Sequence, residues 1–177
     1  MAARRVRVKS VAVWRRGALQ KMEATRRSTL ALLSRLPEAE ITRPRTQDEW
    51  SIKDILAHVS AWEDEAAKRL QLIARGRGDC VHFYHDMTEA DRFNARAVAA
   101  GRRLSPGAMV RRMTQARKRL VEALRRVPPP ALDDPSHEYT VIAWFPELAW
   151  THEQGHLADI RAWWREQRAA RPKRRPG

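Results

Sequence analysis

Apolar residues along this chain recur at three- and four-residue spacing, the repeat that places them on one face of an α-helix. Leu19, Met22, Leu30, Leu33 and Leu36 set out a first helix over about residues 16–36, ended by Pro37 and followed by a loop through Pro44. The second helix has a sharp start. Ser51 stands at the N-cap with Asp54 three residues on, a capping box in which each side chain satisfies a backbone N–H of the first turn. Ile52, Ile55, Leu56, Val59, Trp62, Ala66, Leu70 and Ile73 then form a wide apolar face, and Gly76 and Gly78 stop it. Residues 79–87 read as a loop. A shorter helix follows, with Thr88 as cap and Phe93, Ala97 and Val98 inside, ending near Gly101. Ser105-Pro106 opens the next long helix, with proline where its missing N–H costs nothing. Met109, Met113, Leu120, Leu124 and Val127 mark its buried stripe, and Pro128-Pro129-Pro130 closes it. The last helix starts between Thr140 and Pro146 and runs to about Gln167, with Leu148, Ala149, His152, His156, Ile160 and Trp163 on adjacent positions of one face. There is no internal repeat, glycine-rich phosphate loop or strand alternation. The pattern predicts an all-α four-helix bundle with one short extra helix.

Composition narrows the setting. The 177 residues fit a single domain. The single cysteine, Cys80, excludes an intramolecular disulfide framework and any Cys-rich zinc module; it fits a reducing compartment, so a cytoplasmic location is expected. No stretch approaches the roughly 18 uninterrupted apolar residues of a membrane span, and no membrane partner is expected. The net charge of +14 suggests a polyanion partner, but its distribution weakens that reading. Arg4, Arg5, Arg7, Lys9, Arg15, Arg16 and Lys21 precede the first acid, Glu23, and Arg165, Arg168, Arg171, Lys173, Arg174 and Arg175 crowd the other end. Residues 22–164 are nearly balanced. The expected organisation is a basic tail over 1–15, one domain over 16–167 and a second basic tail over 168–177. Flexible tails of this kind give weak, salt-sensitive attraction to DNA and other polyanions.

The sharpest chemical feature is His152-Glu153-Gln154-Gly155-His156. Residues i and i+4 of a helix are neighbours, so both imidazoles can converge on one ion, and their stripe points into the bundle. A pair of hydrogen-bonded core histidines is the plainer alternative. The same five residues match H-E-x-x-H, the zinc-protease helix, in which the Glu is the general base. No substrate-binding strand accompanies them, and the downstream acids Asp159 and Glu166 are poor third ligands. Asp159, one turn from His156, suits a position behind the ring instead. His58, in the middle of the second helix and one turn from Asp54 and Trp62, is an available third ligand or a lone histidine at the edge of an apolar face. Glu153 is a candidate proton carrier, Trp62 a candidate pocket wall and Asn94 a candidate substrate contact. Against these stand a solvent-facing carboxylate, a core indole and a surface amide. His82 and His85 are spaced as loop ligands or as ordinary surface histidines, and Cys80 has no assignable activating partner.

The run Trp50-Ser51-Ile52-Lys53-Asp54-Ile55-Leu56-Ala57-His58-Val59-Ser60-Ala61-Trp62-Glu63 resembles the second-helix signature of the DinB-like superfamily, and His152-x-x-x-His156 resembles its last-helix motif. Leu36-Pro37-Glu38, Phe93-Asn94, Leu104-Ser105-Pro106 and His156-Leu157-Ala158-Asp159-Ile160-Arg161-Ala162-Trp163 are similar to the ClbS/DfsB branch in particular. The likeness spans roughly residues 17–166. It implies an up-down-down-up bundle, often a homodimer, with His58, His152 and His156 holding a divalent metal: nickel or zinc first, manganese or iron after them. Some relatives act as thiol-dependent transferases or isomerases with mycothiol, bacillithiol or glutathione; ClbS-like members hydrolyse or sequester reactive metabolites. Three readings follow. One is a metal-dependent hydrolase or thiol S-transferase on a small electrophile, with Asp54 and Asp159 behind the ligands. The second is a metal-independent self-resistance protein, and the third a polyanion-associated protein acting through its tails.

Overall fold

The computed structural model describes residues 2–45 and 50–170, with side chains from residue 10 onward. The helices are α1 (Ala2–Leu33), the short α2 (Glu38–Thr42), α3 (Ile52–Ala74), α4 (Met87–Arg102), α5 (Pro106–Arg126), the short α6 (Val141–Pro146) and α7 (His152–Ala170). Among the described residues there is no strand, and Pro44 and Ser51 form an isolated bridge.

Two apolar cores give the topology. The first gathers Val11, Ala18 and Met22 with Leu70, Leu120, Leu124, Phe145 and Trp150; the second gathers Leu33 with Ile52, Ile55, Val59, Met109, Met113 and Ile160. Along the chain, α1 and the last helical segment pass from the first core to the second, whereas α3 and α5 pass from the second to the first. The bundle is therefore up-down-down-up. Its like-directed neighbours α3 and α5 need a connection that travels back along the bundle. Residues 75–105 provide it, with α4 lying against α3. A Cβ added at Gly101 would stand 2.3 Å from the Cβ of Ala57, so that close approach requires glycine.

The local signals act where the chain spells them. Ser51 and Asp54 exchange both capping-box bonds at 3.1 Å. Ser105 caps α5 with Pro106 in the first turn. The cap of α4 differs from the expected Thr88: Asp86 accepts from the Thr88 N–H at 2.7 Å, its carboxylate being the stronger acceptor. α1 also differs, starting at Ala2 rather than near residue 16. Nothing before residue 16 breaks a helix, and the segment has tertiary partners. Val11 is buried, Trp14 packs edge-on to Phe145 at 6.0 Å, and Arg15 Nη2 donates to the Val127 carbonyl at 2.5 Å, at the open end of α5. The basic stretch expected as a flexible tail is thus helical over its described part. At the other end α7 runs to Ala170, and residues 171–177 of the expected tail lie outside the described residues.

The last helical segment is not one regular helix. Pro146 sits at the end of α6, and Glu147–Thr151 form a wide π turn immediately before His152. Proline lacks the N–H that the helical ladder needs, and a π turn inserts an extra residue that shifts the phase of everything downstream.

Candidate metal centre

α3 presents His58 from its buried face, and α7 presents His152 and His156 one turn apart. Their Nε2 atoms meet. His58 Nε2 lies 2.8 Å from His152 Nε2, which lies 3.0 Å from His156 Nε2. His58 is buried, and the other two are partly buried. Burial, reinforced by the two neighbouring rings, lowers His58 from the ordinary 6.5 to about 3. Burial, again with His156 beside it, brings His152 down to about 4 against the pull of Glu153. Burial lowers His156 as well, opposed by Asp159. All three rings are neutral at pH 7.

Neutral imidazoles so placed are poor partners for one another. Each Nε2 carries either one proton or one lone pair. The central His152 Nε2 can share a proton with one neighbour and then has nothing to offer the second. A cation accepts all three lone pairs at once. Two nitrogens that share an ion at about 2.0–2.1 Å each would stand roughly 3 Å apart, close to the 2.8 and 3.0 Å seen here. Among the described residues, His58, His152 and His156 are the group whose potential ligand atoms all lie within 4.8 Å of one another.

A family model described as the DinB superfamily matches residues 21–160, which take in all three histidines. The chain belongs to the DinB superfamily. No curated protein and no solved structure matches it. In this DinB-superfamily chain Trp62 and Asn94 come together beside the histidines: the indole N–H donates to Asn94 Oδ1 at 2.9 Å, and the Trp62 ring stands edge-on to His58 at 6.5 Å. Three further aromatic residues, none of them named above as a site candidate, extend this cluster. Trp50 lies 4.9 Å from the His58 ring, and Tyr84 and Phe93 lie 5.2 and 4.7 Å from Trp62. Trp50 sits in the same signature run as His58, which was a usable signal; Tyr84 comes from a loop with none.

The acids are placed differently from the sequence reading. Asp54, set behind the ligands, is committed to the Ser51 cap and to Arg102, whose Nε is 3.2 Å away. Asp159 is exposed, and its charge bears on His156 without a hydrogen bond to it among those described. The Nδ1 atom of His152 is buried with no hydrogen-bond partner, whereas a side-chain hydrogen bond with Asn94 partly opposes the lowering at His58. Glu153, the candidate proton carrier, is buried at 4% exposure, and both its oxygens face guanidinium groups. His82 and His85 pair separately with Glu89 and Glu138, at 2.9 and 3.2 Å, and do not converge. Cys80 is exposed, with the Arg77 guanidinium 3.5 Å from its sulfur.

Glu153 belongs to a buried ionic layer between the two apolar cores. Arg26 of α1 bonds Glu153 Oε1 at 2.9 Å and Glu63 Oε1 at 2.8 Å; Arg117 of α5 bonds Glu153 Oε2 at 2.5 Å and also pairs with Glu63. Each arginine further donates to the opposite helix, Arg26 to the Met113 carbonyl at 2.6 Å and Arg117 to that of Met22 at 3.1 Å. Burial pushes Glu63 up and Arg117 down, each opposed by its partners' charges. The signal was present in the sequence: Arg26, Glu63 and Arg117 each follow an apolar stripe residue (Met22, Val59, Met113) by one turn, so each stands where the pattern calls for a hydrophobe.

Proposed function

We propose that this DinB-superfamily protein binds a divalent metal, nickel or zinc in the first instance, through His58, His152 and His156, and acts on a small electrophile or a low-molecular-weight thiol adduct by hydrolysis or thiol transfer. The convergence of three neutral Nε2 atoms carries the reading. Such a metal would supply a Lewis acid that lowers the pKa of a bound water or thiol. The chain's own residues hold and shape the site. Trp50 and Trp62, the latter anchored on Asn94, stand against the His58 ring, and Tyr84 and Phe93 pack on Trp62, aromatic surroundings that suit a small apolar substrate. Both oxygens of Glu153 are bonded to arginines, Arg26 and Arg117.

One observation favours the metal-independent, ClbS/DfsB-like alternative: among the described residues no carboxylate or carbonyl backs the Nδ1 atom of His152, whereas metal-bound histidines usually have such a partner. Metal analysis by mass spectrometry separates the two. Purified protein should carry near-stoichiometric metal, and His152→Ala should lose it while remaining helical by circular dichroism. No uptake from a panel of divalent ions, or full occupancy in His152→Ala, would overturn the three-histidine site. Protection against an electrophile that survives chelation would then support the alternative.

A further inference from the structure

The ionic layer and the histidine site share one stretch of α7, since Glu153 directly follows His152. Each of the four long helices contributes one member: Arg26 from α1, Glu63 from α3, Arg117 from α5 and Glu153 from α7. All four are buried to more than nine-tenths. Replacing such buried ions with apolar residues of similar size is often neutral or stabilising, so stability alone does not account for the layer. What it does that an apolar layer cannot is reject rotation. A turn of α7 by one residue, about 100°, would carry the Glu153 carboxylate away and leave two buried guanidinium groups short of a counter-charge.

α7 needs such a restraint more than its neighbours do. The π turn over Glu147–Thr151 breaks the phase that α6 would otherwise pass on. Gly155, between the two histidines, has nothing beyond its own helix backbone within 4 Å of where its Cβ would be, so packing does not require glycine there and the helix is locally weak. Both features fall on the segment that must aim two rings at a single point.

We infer that Glu153 is the positioning residue of the histidine site: its paired bonds to Arg26 and Arg117 set the rotation of α7 and so bring His152 and His156 onto His58. The inference rests on the three-histidine reading of the site. It also gives the glutamate of this H-E-x-x-H sequence a role other than the general base of the protease helix. That side chain lies about 100° around the helix from His152 and points into the bundle.

The test compares wild type with Glu153→Gln, Glu153→Ala and Leu132→Ala by cobalt(II) titration, ligand-field absorption and thermal melting. The imidazole nitrogen NMR shifts of the metal-free proteins are recorded alongside. Leu132 is fully buried in the first core, away from the histidines, and its variant supplies a comparable loss of stability without touching the layer. Cobalt affinity should fall ~10-fold in Glu153→Gln and further in Glu153→Ala, with shifted absorption bands, as when partners behind a ligand are lost. The Nε2 shifts of His152 and His156 should move in the same variants and stay put in Leu132→Ala. Unchanged affinity, bands and shifts in the Glu153 variants would overturn the inference, as would an equal change in Leu132→Ala. Should Glu153→Ala fail to fold, the isosteric Glu153→Gln decides. If wild type takes up no cobalt, the metal reading fails on that result, and the metal-free imidazole shifts still decide the role of Glu153.

Discussion

His58 and Glu63 sit five residues apart on α3, and both occupy positions that an unbroken apolar stripe would give to leucine. Their polar character is matched from other helices, the first by His152 and His156, the second by Arg26 and Arg117. Gly155 is the opposite case, a residue whose place is explained neither by space nor by backbone, since among the described glycines positive φ is confined to Gly76. Gly155→Ala should therefore raise stability by about 0.5–1 kcal/mol in urea unfolding, chiefly by lowering the entropy of the unfolded chain. A loss of stability would mean that the stretch between the histidines is not an ordinary helix.

At the scale of elements, α3 organises the molecule. It is contacted by α4, α5 and α7, and it carries His58, Glu63 and Trp62 along one length. Its register is set at Ser51, where the capping box holds the first turn beside Trp50 and about two turns before His58. Ser51→Ala should cost about 1 kcal/mol of stability, measured by chemical denaturation, with the fold retained. A neutral result would show that packing alone fixes the start of α3. The capping box was legible because it needs only two residues at fixed spacing. The π turn before α7 was not, because Pro146 marks a disturbance without saying how the chain absorbs it. The early start of α1 was obscured by charge: a run of arginines reads as a tail until Val11 and Trp14 are seen to have partners.

For the whole molecule, the buried histidines couple stability to pH. Folded His58 and His152 take up protons near pH 3 to 4, whereas unfolded histidines do so near 6.5. Between 6.5 and about 3 the unfolded chain binds protons that the folded chain refuses, so metal-free stability falls as pH drops through that window. Glu63, raised above its usual value, works in the opposite sense. A His58→Gln/His152→Gln double variant isolates the histidines: between pH 7 and 5 it should lose less stability than metal-free wild type. Equal losses would show that the rings are not shielded as their burial implies. Among the described residues no helix is long and apolar enough to cross a membrane.

By itself the sequence determined the helical class, the stripes that become the two cores, the caps of α3 and α5, the superfamily and the three histidines, since each depends on spacing along one helix or on a short run of residues. Tertiary structure decided what depends on rotation between helices. That a central Nε2 stands 2.8 and 3.0 Å from two others is a fact about α3 against α7. That Glu153 turns away from those rings into an arginine pair is a fact about α7 against α1 and α5. A helical repeat says which residues share a face, but the face they meet is chosen by packing and by the pairing of buried charge, and neither is written in the spacing of a single element.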